Sequence, residues 1–111
     1  MSEDGELQTT AKRYDIIKPE HVRKGFSNCV MSNFRMVPTN DYGKTTKTDK
    51  LWIDVSNGSI AYSWIPNKVS QNEIVEIFGT KKYQELEGKQ IKLIVKKYEN
   101  YPNEMIFPEK V

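Results

Sequence analysis

At 111 residues, with 37% hydrophobic and 29% charged side chains, the chain is sized and composed for one globular domain with a single core, and a second domain does not fit. A net charge of +2 and a sequence pI near 8.6 fall short of the strongly basic balance of a dedicated nucleic-acid binder, so charge alone selects no partner. A mean hydropathy of −0.70 without a long apolar run excludes a membrane partner by spanning helix, and the start MSEDGELQTT lacks the basic end and apolar stretch of a signal peptide, which points to the cytoplasm.

Residues 1–13 are polar without apolar periodicity and read as a disordered lead-in to a domain over 14–111. Tyr14, Ile16, Ile17 and Val22 supply anchors around Pro19, which opens a single helical turn running to Gly25 and serving as a short docking element. Residues 26–37, FSNCVMSNFRMV, form the expected first strand, ended by Pro38. Its alternation is imperfect: Phe26, Val30, Phe34 and Met36 share one parity, whereas Cys29, Met31 and Val37 are apolar on the other. That pattern calls for a bulge, strong coiling or partial burial of both faces. If Phe34 and Met36 point inward, Asn33 and Arg35 point out.

Cys29 is the chain's single cysteine and His21 its single histidine, so an internal disulfide is excluded and the pair falls short of a structural zinc set. No cofactor or metal is expected. In an apolar strand Cys29 reads as a small core residue, with a Cys–His nucleophile pair as the alternative. Residues 39–50, TNDYGKTTKTDK, read as a long polar loop holding Tyr42, Lys44, Lys47 and Lys50.

Residues 51–65, LWIDVSNGSIAYSWI, are two alternating strand patterns joined by Asn57-Gly58, which predicts a hairpin with a type I′ turn. Ser56 then faces Ser59, and counting outward sets Val55 opposite Ile60, Ile53 opposite Tyr62 and Leu51 opposite Trp64 on one apolar or aromatic face. Tyr62 and Trp64 then belong to the core, and Trp52 stands on the outer face beside Asp54, Ala61 and Ser63. Next comes a helix with Ser70 as N-cap, Glu73 closing a capping box, an apolar face of Ile74, Ile77 and Phe78, and Gly79 as its stop. Residues 80–88 are a polar connection anchored by Tyr83 and Leu86. Residues 90–97, QIKLIVKK, alternate as a half-buried strand. Residues 98–103 form a turn-rich loop, and Met105-Ile106-Phe107 before Pro108 closes the sheet.

The predicted fold is mainly β, a five-stranded barrel with one helix between strands three and four, which is the layout of an OB-fold. The segments Ile17-Lys18-Pro19-Glu20-His21-Val22, Phe78-Gly79 and Gly88-Lys89-Gln90-Ile91-Lys92-Leu93 carry the resemblance: the chain resembles small phage and archaeal OB-like proteins. The resemblance implies a binding surface across strands two and three, flanked by the loops after strands one and four. Those places collect Tyr42, Lys44, Lys47 and Lys50 on one side and Lys96, Lys97, Tyr98 and Tyr101 on the other, with Trp52 between them and Arg35 suited to either phosphate or base. Ammonium groups tracking phosphates and a ring stacking on a base, worth about 1–3 kcal/mol, make single-stranded nucleic acid the expected partner, DNA ahead of RNA. The competing expectation is an adaptor that docks on a larger protein complex, since an exposed tryptophan is also a common interface hot spot. Scattered carboxylates, no Gly-rich phosphate loop and one histidine argue against an enzyme.

Overall fold

Five antiparallel strands build one sheet in the computed structural model, which describes residues 14–40, 45–97 and 103–111. The elements are α1 (Pro19–Arg23), β1 (Asn28–Asn40), β2 (Lys47–Ser56), β3 (Ala61–Trp64), α2 (Lys68–Phe78), α3 (Tyr83–Leu86), β4 (Gln90–Lys97) and β5 (Glu104–Glu109). The sheet order is β3-β2-β1-β4-β5. Three strands follow one another as a meander, and the chain then returns through α2 and α3 to lay β4 against β1, which is Greek-key order.

The expected barrel is not closed. β3 is only four residues long, and its outer edge is occupied by the chain's own start: Ile17 N–H donates to the Ser63 carbonyl at 2.8 Å and Ser63 N–H to the Asp15 carbonyl at 2.9 Å. On the other edge the Ser70 hydroxyl donates to the Ile106 carbonyl of β5 at 3.2 Å, so a helix side chain takes a group that a closing strand would need. Two helices, rather than one, lie between β3 and β4, the second seating Leu86 in the core while Tyr83 stacks on Phe34 at 5.5 Å.

The hairpin forms one residue later than expected. Gly58, at φ +95°, and Ser59 form the tip, while Asn57 keeps a negative φ and its Oδ1 accepts from Ser59 and Ile60 N–H. Asn57 is closed onto Ile60 by a backbone bond of 3.1 Å. Moving the turn centre by one residue moves the pairing by two, so Val55 opposes Tyr62, Ile53 opposes Trp64 and Ser56 opposes Ala61. A shift of two preserves the faces. Trp64 is therefore buried as expected, at 3% exposure, but Ile60 loses its partner and is exposed. Tyr62 is half-buried on the core side, stacked under His21 of α1 at 4.4 Å and met edge-on by Phe26 at 4.9 Å, so α1 docks as expected.

The irregular first strand is explained by a bulge. Ser32 pairs with Asp54 and Arg35 with Trp52, which leaves Asn33 and Phe34 together against Ile53. Cys29 and Met31 face inward before the bulge, and Phe34 packs inward after it, because the extra residue switches parity. Asn33 adopts φ +55°, a conformation that Asn tolerates better than most residues, and its N–H donates to both Glu87 carboxylate oxygens at 3.0 and 3.1 Å.

Pro38 does not end β1. It pairs with Asp49, and the ladder runs on through Thr39↔Thr48 to Asn40↔Lys47, so residues 39–40 and 47–50 of the expected loop are strand. Pro38 is tolerated because β4 pairs with β1 at Asn28, Cys29 and Val30, which leaves the far half of β1 as a ribbon edge with no strand neighbour on that side among the described residues. This two-stranded end of β1 and β2 is called the arm. The expected mobile tail over residues 1–13 lies outside the described residues.

The capping of α2 also moves. Asn67, not Ser70, is the N-cap, its side chain accepting from Ser70 N–H at 2.8 Å, while Ser70 is buried inside the first turn and Glu73 lies a turn further in. Gly79 stops the helix in left-handed conformation at φ +71°. Ile74 is buried, whereas Ile77 and Phe78 are half-buried at the rim of the core. On β4 the alternation holds, with Ile91 and Leu93 fully inside.

Cys29 sits in this core at 3% exposure, its Sγ directed at the Ile91 carbonyl, and burial pushes its thiol up to about 12. The folded state thus holds the proton more tightly than the unfolded chain, so this group's contribution is complete below pH 9.0 and is lost as pH rises from 9.0 toward 12. Alkylation of the native protein at pH 8 is expected to be far slower than in urea. Comparable rates in the two conditions would place the thiol at the surface.

Candidate nucleic-acid interface

Strand register and the bulge together assemble the outer face around Trp52. Its indole N–H donates to the Thr39 hydroxyl at 2.9 Å, and Arg35, its cross-strand partner, places its guanidinium 5.8 Å from the ring centroid. The ring is half-buried and has a fixed edge. Arg35 is in turn tied to Asp54 at 3.0 Å and donates to the Asn33 carbonyl at 2.7 Å. Asp54 also accepts from the Asn33 amide at 3.0 Å and the Ser63 hydroxyl at 3.2 Å. The carboxylate that register sets beside Trp52, which would otherwise repel a phosphate, is thus neutralised locally, and so is Arg35, the arginine expected to meet phosphate or base.

The remaining expected residues divide by location. Lys50 pairs with Val37 and shares the Trp52 face of β2, where it is half-buried; Lys47 is exposed on the other parity, with Asp49 and Leu51. Lys96 and Lys97 stand at the end of β4 opposite Met105 and Glu104, and Lys96 lies over the Phe107 ring at 5.0 Å. Because Asn28 pairs with Lys92, β4 runs past the start of β1 before reaching them, so they and the arm lysines occupy opposite ends of the sheet. Tyr42, Lys44, Tyr98 and Tyr101 lie outside the described residues.

Thr39 is the member not legible in the sequence, because Pro38 marks an expected strand end and the polar residues that follow it pattern as loop. The available signal was the Thr39–Thr48 pairing that follows once the ladder continues through proline. The pairing of Asp54 with Arg35 is not visible from register alone, since the bulge is what brings Arg35 opposite Trp52.

Among the described residues no group of three or more histidine, cysteine, aspartate and glutamate side chains is placed to hold a metal ion. No helix among them is long and apolar enough to cross a membrane. Comparison with protein-family models, curated proteins and solved structures gives no significant match for this chain.

Proposed function

We propose that the protein is a non-enzymatic module of OB type that binds single-stranded nucleic acid, DNA in the first instance, across the outer face of β2. The observation that carries this reading is Trp52: a half-exposed ring on the outer sheet face, fixed at its edge by Thr39 and flanked by a cation whose charge Asp54 already balances. A flat ring held in one orientation meets a base without first losing rotamer freedom. The Greek-key order, the unclosed sheet and the helical return between β3 and β4 support the OB reading, since that fold is a partly open five-stranded Greek-key barrel. With Arg35 occupied by Asp54, phosphate contacts fall to Lys50 on the arm and to Lys97 at the end of β4.

Anisotropy of a fluorescein-labelled oligothymidylate, titrated at several salt concentrations, tests this directly. Trp52→Ala is expected to weaken binding by about 1–3 kcal/mol at every salt concentration, because stacking releases no counterion. Lys50→Ala is expected to flatten the log–log salt slope by about 0.7 and to act equally on all sequences. A parent protein that leaves the probe's anisotropy unchanged at low salt would overturn the proposal.

A further inference from the structure

The arm has a second face, and it is built differently from the first. Where β1 and β2 leave the sheet, Met36 and Leu51 turn toward the start of α2 and, with Ile65 and Pro66, floor an open groove of about 560 Å³. That volume is within the range of sites that hold ligands. Met36 is 52% exposed, although it pairs with Leu51 on the face that packs into the core nearer the sheet. Among the described residues no aromatic ring lines the groove, so these offer nothing for a base to stack on. Its rim carries Lys68 against one acid among the described lining residues, Asp49, and Lys47 lies on the same face of the arm. The amides of Asn67 and Gln71 also line it.

We propose that this groove is a protein-docking site whose partner is an acidic peptide segment with aliphatic anchor residues. The aliphatic floor takes leucine- or isoleucine-type side chains, and the exposed, unbranched Met36 adapts to their shape, as methionines do on peptide-binding surfaces. The cationic rim selects glutamate or aspartate on either side of the anchors and disfavours a basic segment. This surface lies on the opposite face of the arm from Trp52, so its occupancy is independent of the nucleic-acid reading.

The test uses the full chain and a labelled peptide of about fifteen residues with leucines at helical i, i+3 and i+4 spacing among glutamates. Two control peptides replace all glutamates by lysine or all leucines by serine. The acidic leucine peptide is expected to bind, to shift the amide resonances of Met36, Leu51, Ile65, Lys68 and Gln71, and to lose affinity about tenfold or more in Met36→Asp and in Lys68→Glu. Both side chains are at the surface, and an acid at the first turn of α2 suits the helix dipole, so both variants are expected to fold. Met36→Asp is expected to bind oligothymidylate as the parent does, which separates this surface from the Trp52 face. The proposal is overturned if the peptide does not bind, if either variant binds it normally, or if the lysine peptide binds equally well. It is also overturned if oligothymidylate shifts the same resonances, which would make the groove a nucleic-acid site, or if they shift with protein concentration alone, which would make the occupant a second copy.

Discussion

Trp64→Ala is expected to lower stability by about 3–5 kcal/mol, the usual cost of truncating a large aromatic in a core. Trp64 is 3% exposed, opposes Ile53 and belongs to the cluster containing Val55, Ile74 and Ile106. Ile17, Asn67 and Ile106 lie around it, and Ser70 of α2 is hydrogen-bonded to the Ile106 carbonyl of β5, so these neighbours have little freedom to close over the vacated volume. Since whole domains are stable by about 5–15 kcal/mol, this one change removes a large share. Trp52→Ala removes one hydrogen bond to Thr39 and one cation–π contact from a half-exposed ring, for an expected loss of about 1–2 kcal/mol. Urea denaturation of both variants checks the difference. Equal losses would mean that the two rings share one environment, contrary to the register.

Asp54→Ala is expected to act on stability and on binding in opposite directions. The carboxylate side chain is 14% exposed and accepts from Arg35, Asn33 and Ser63, while Arg35 is 32% exposed. Removing it leaves a partly buried guanidinium without its counter-charge, for which a loss of about 1–3 kcal/mol is expected after allowance for solvent screening. The same change frees Arg35, beside Trp52, to contact a phosphate, so affinity for a single strand at low salt is expected to rise and the salt slope to steepen by about 0.7. Urea denaturation and the salt-dependent titration read the two effects separately. Lower stability with unchanged binding would show that Arg35 does not face the bound strand.

Local pattern carried much of this fold. The alternation Ile91, Leu93 and Val95 located β4, and Gly79 located the end of α2, because each signal depends on residues close in the chain. Faces survived even where partners did not: the turn moved from Asn57-Gly58 to Gly58-Ser59, and a pairing shift of two kept Trp64 inside and Trp52 outside. The irregular parity of β1 was visible as a conflict between Met31 and Phe34, and the bulge at Asn33 resolves it through a Glu87 carboxylate that is distant in sequence. The arm was illegible for a different reason. Thr39, Asn40, Lys47 and Thr48 have no core to pattern them, so a polar two-stranded ribbon reads like a loop. The cluster around Trp52 was half legible: register exposed the ring, but the Arg35–Asp54 pair and the Thr39 acceptor arise from pairings across strands that the proline and the bulge concealed.

The central claim is that a nucleic-acid base rests against Trp52, and a photochemical cross-link tests it without relying on affinities. An oligothymidylate carrying 5-bromouracil, irradiated with the full-length protein and mapped by mass spectrometry, is expected to join Trp52, with the yield falling when unlabelled oligothymidylate competes. Trp64, buried on the other face of the sheet, is expected to stay unmodified. Specific, competable cross-links confined to residues away from β2, with none at Trp52, would contradict the account.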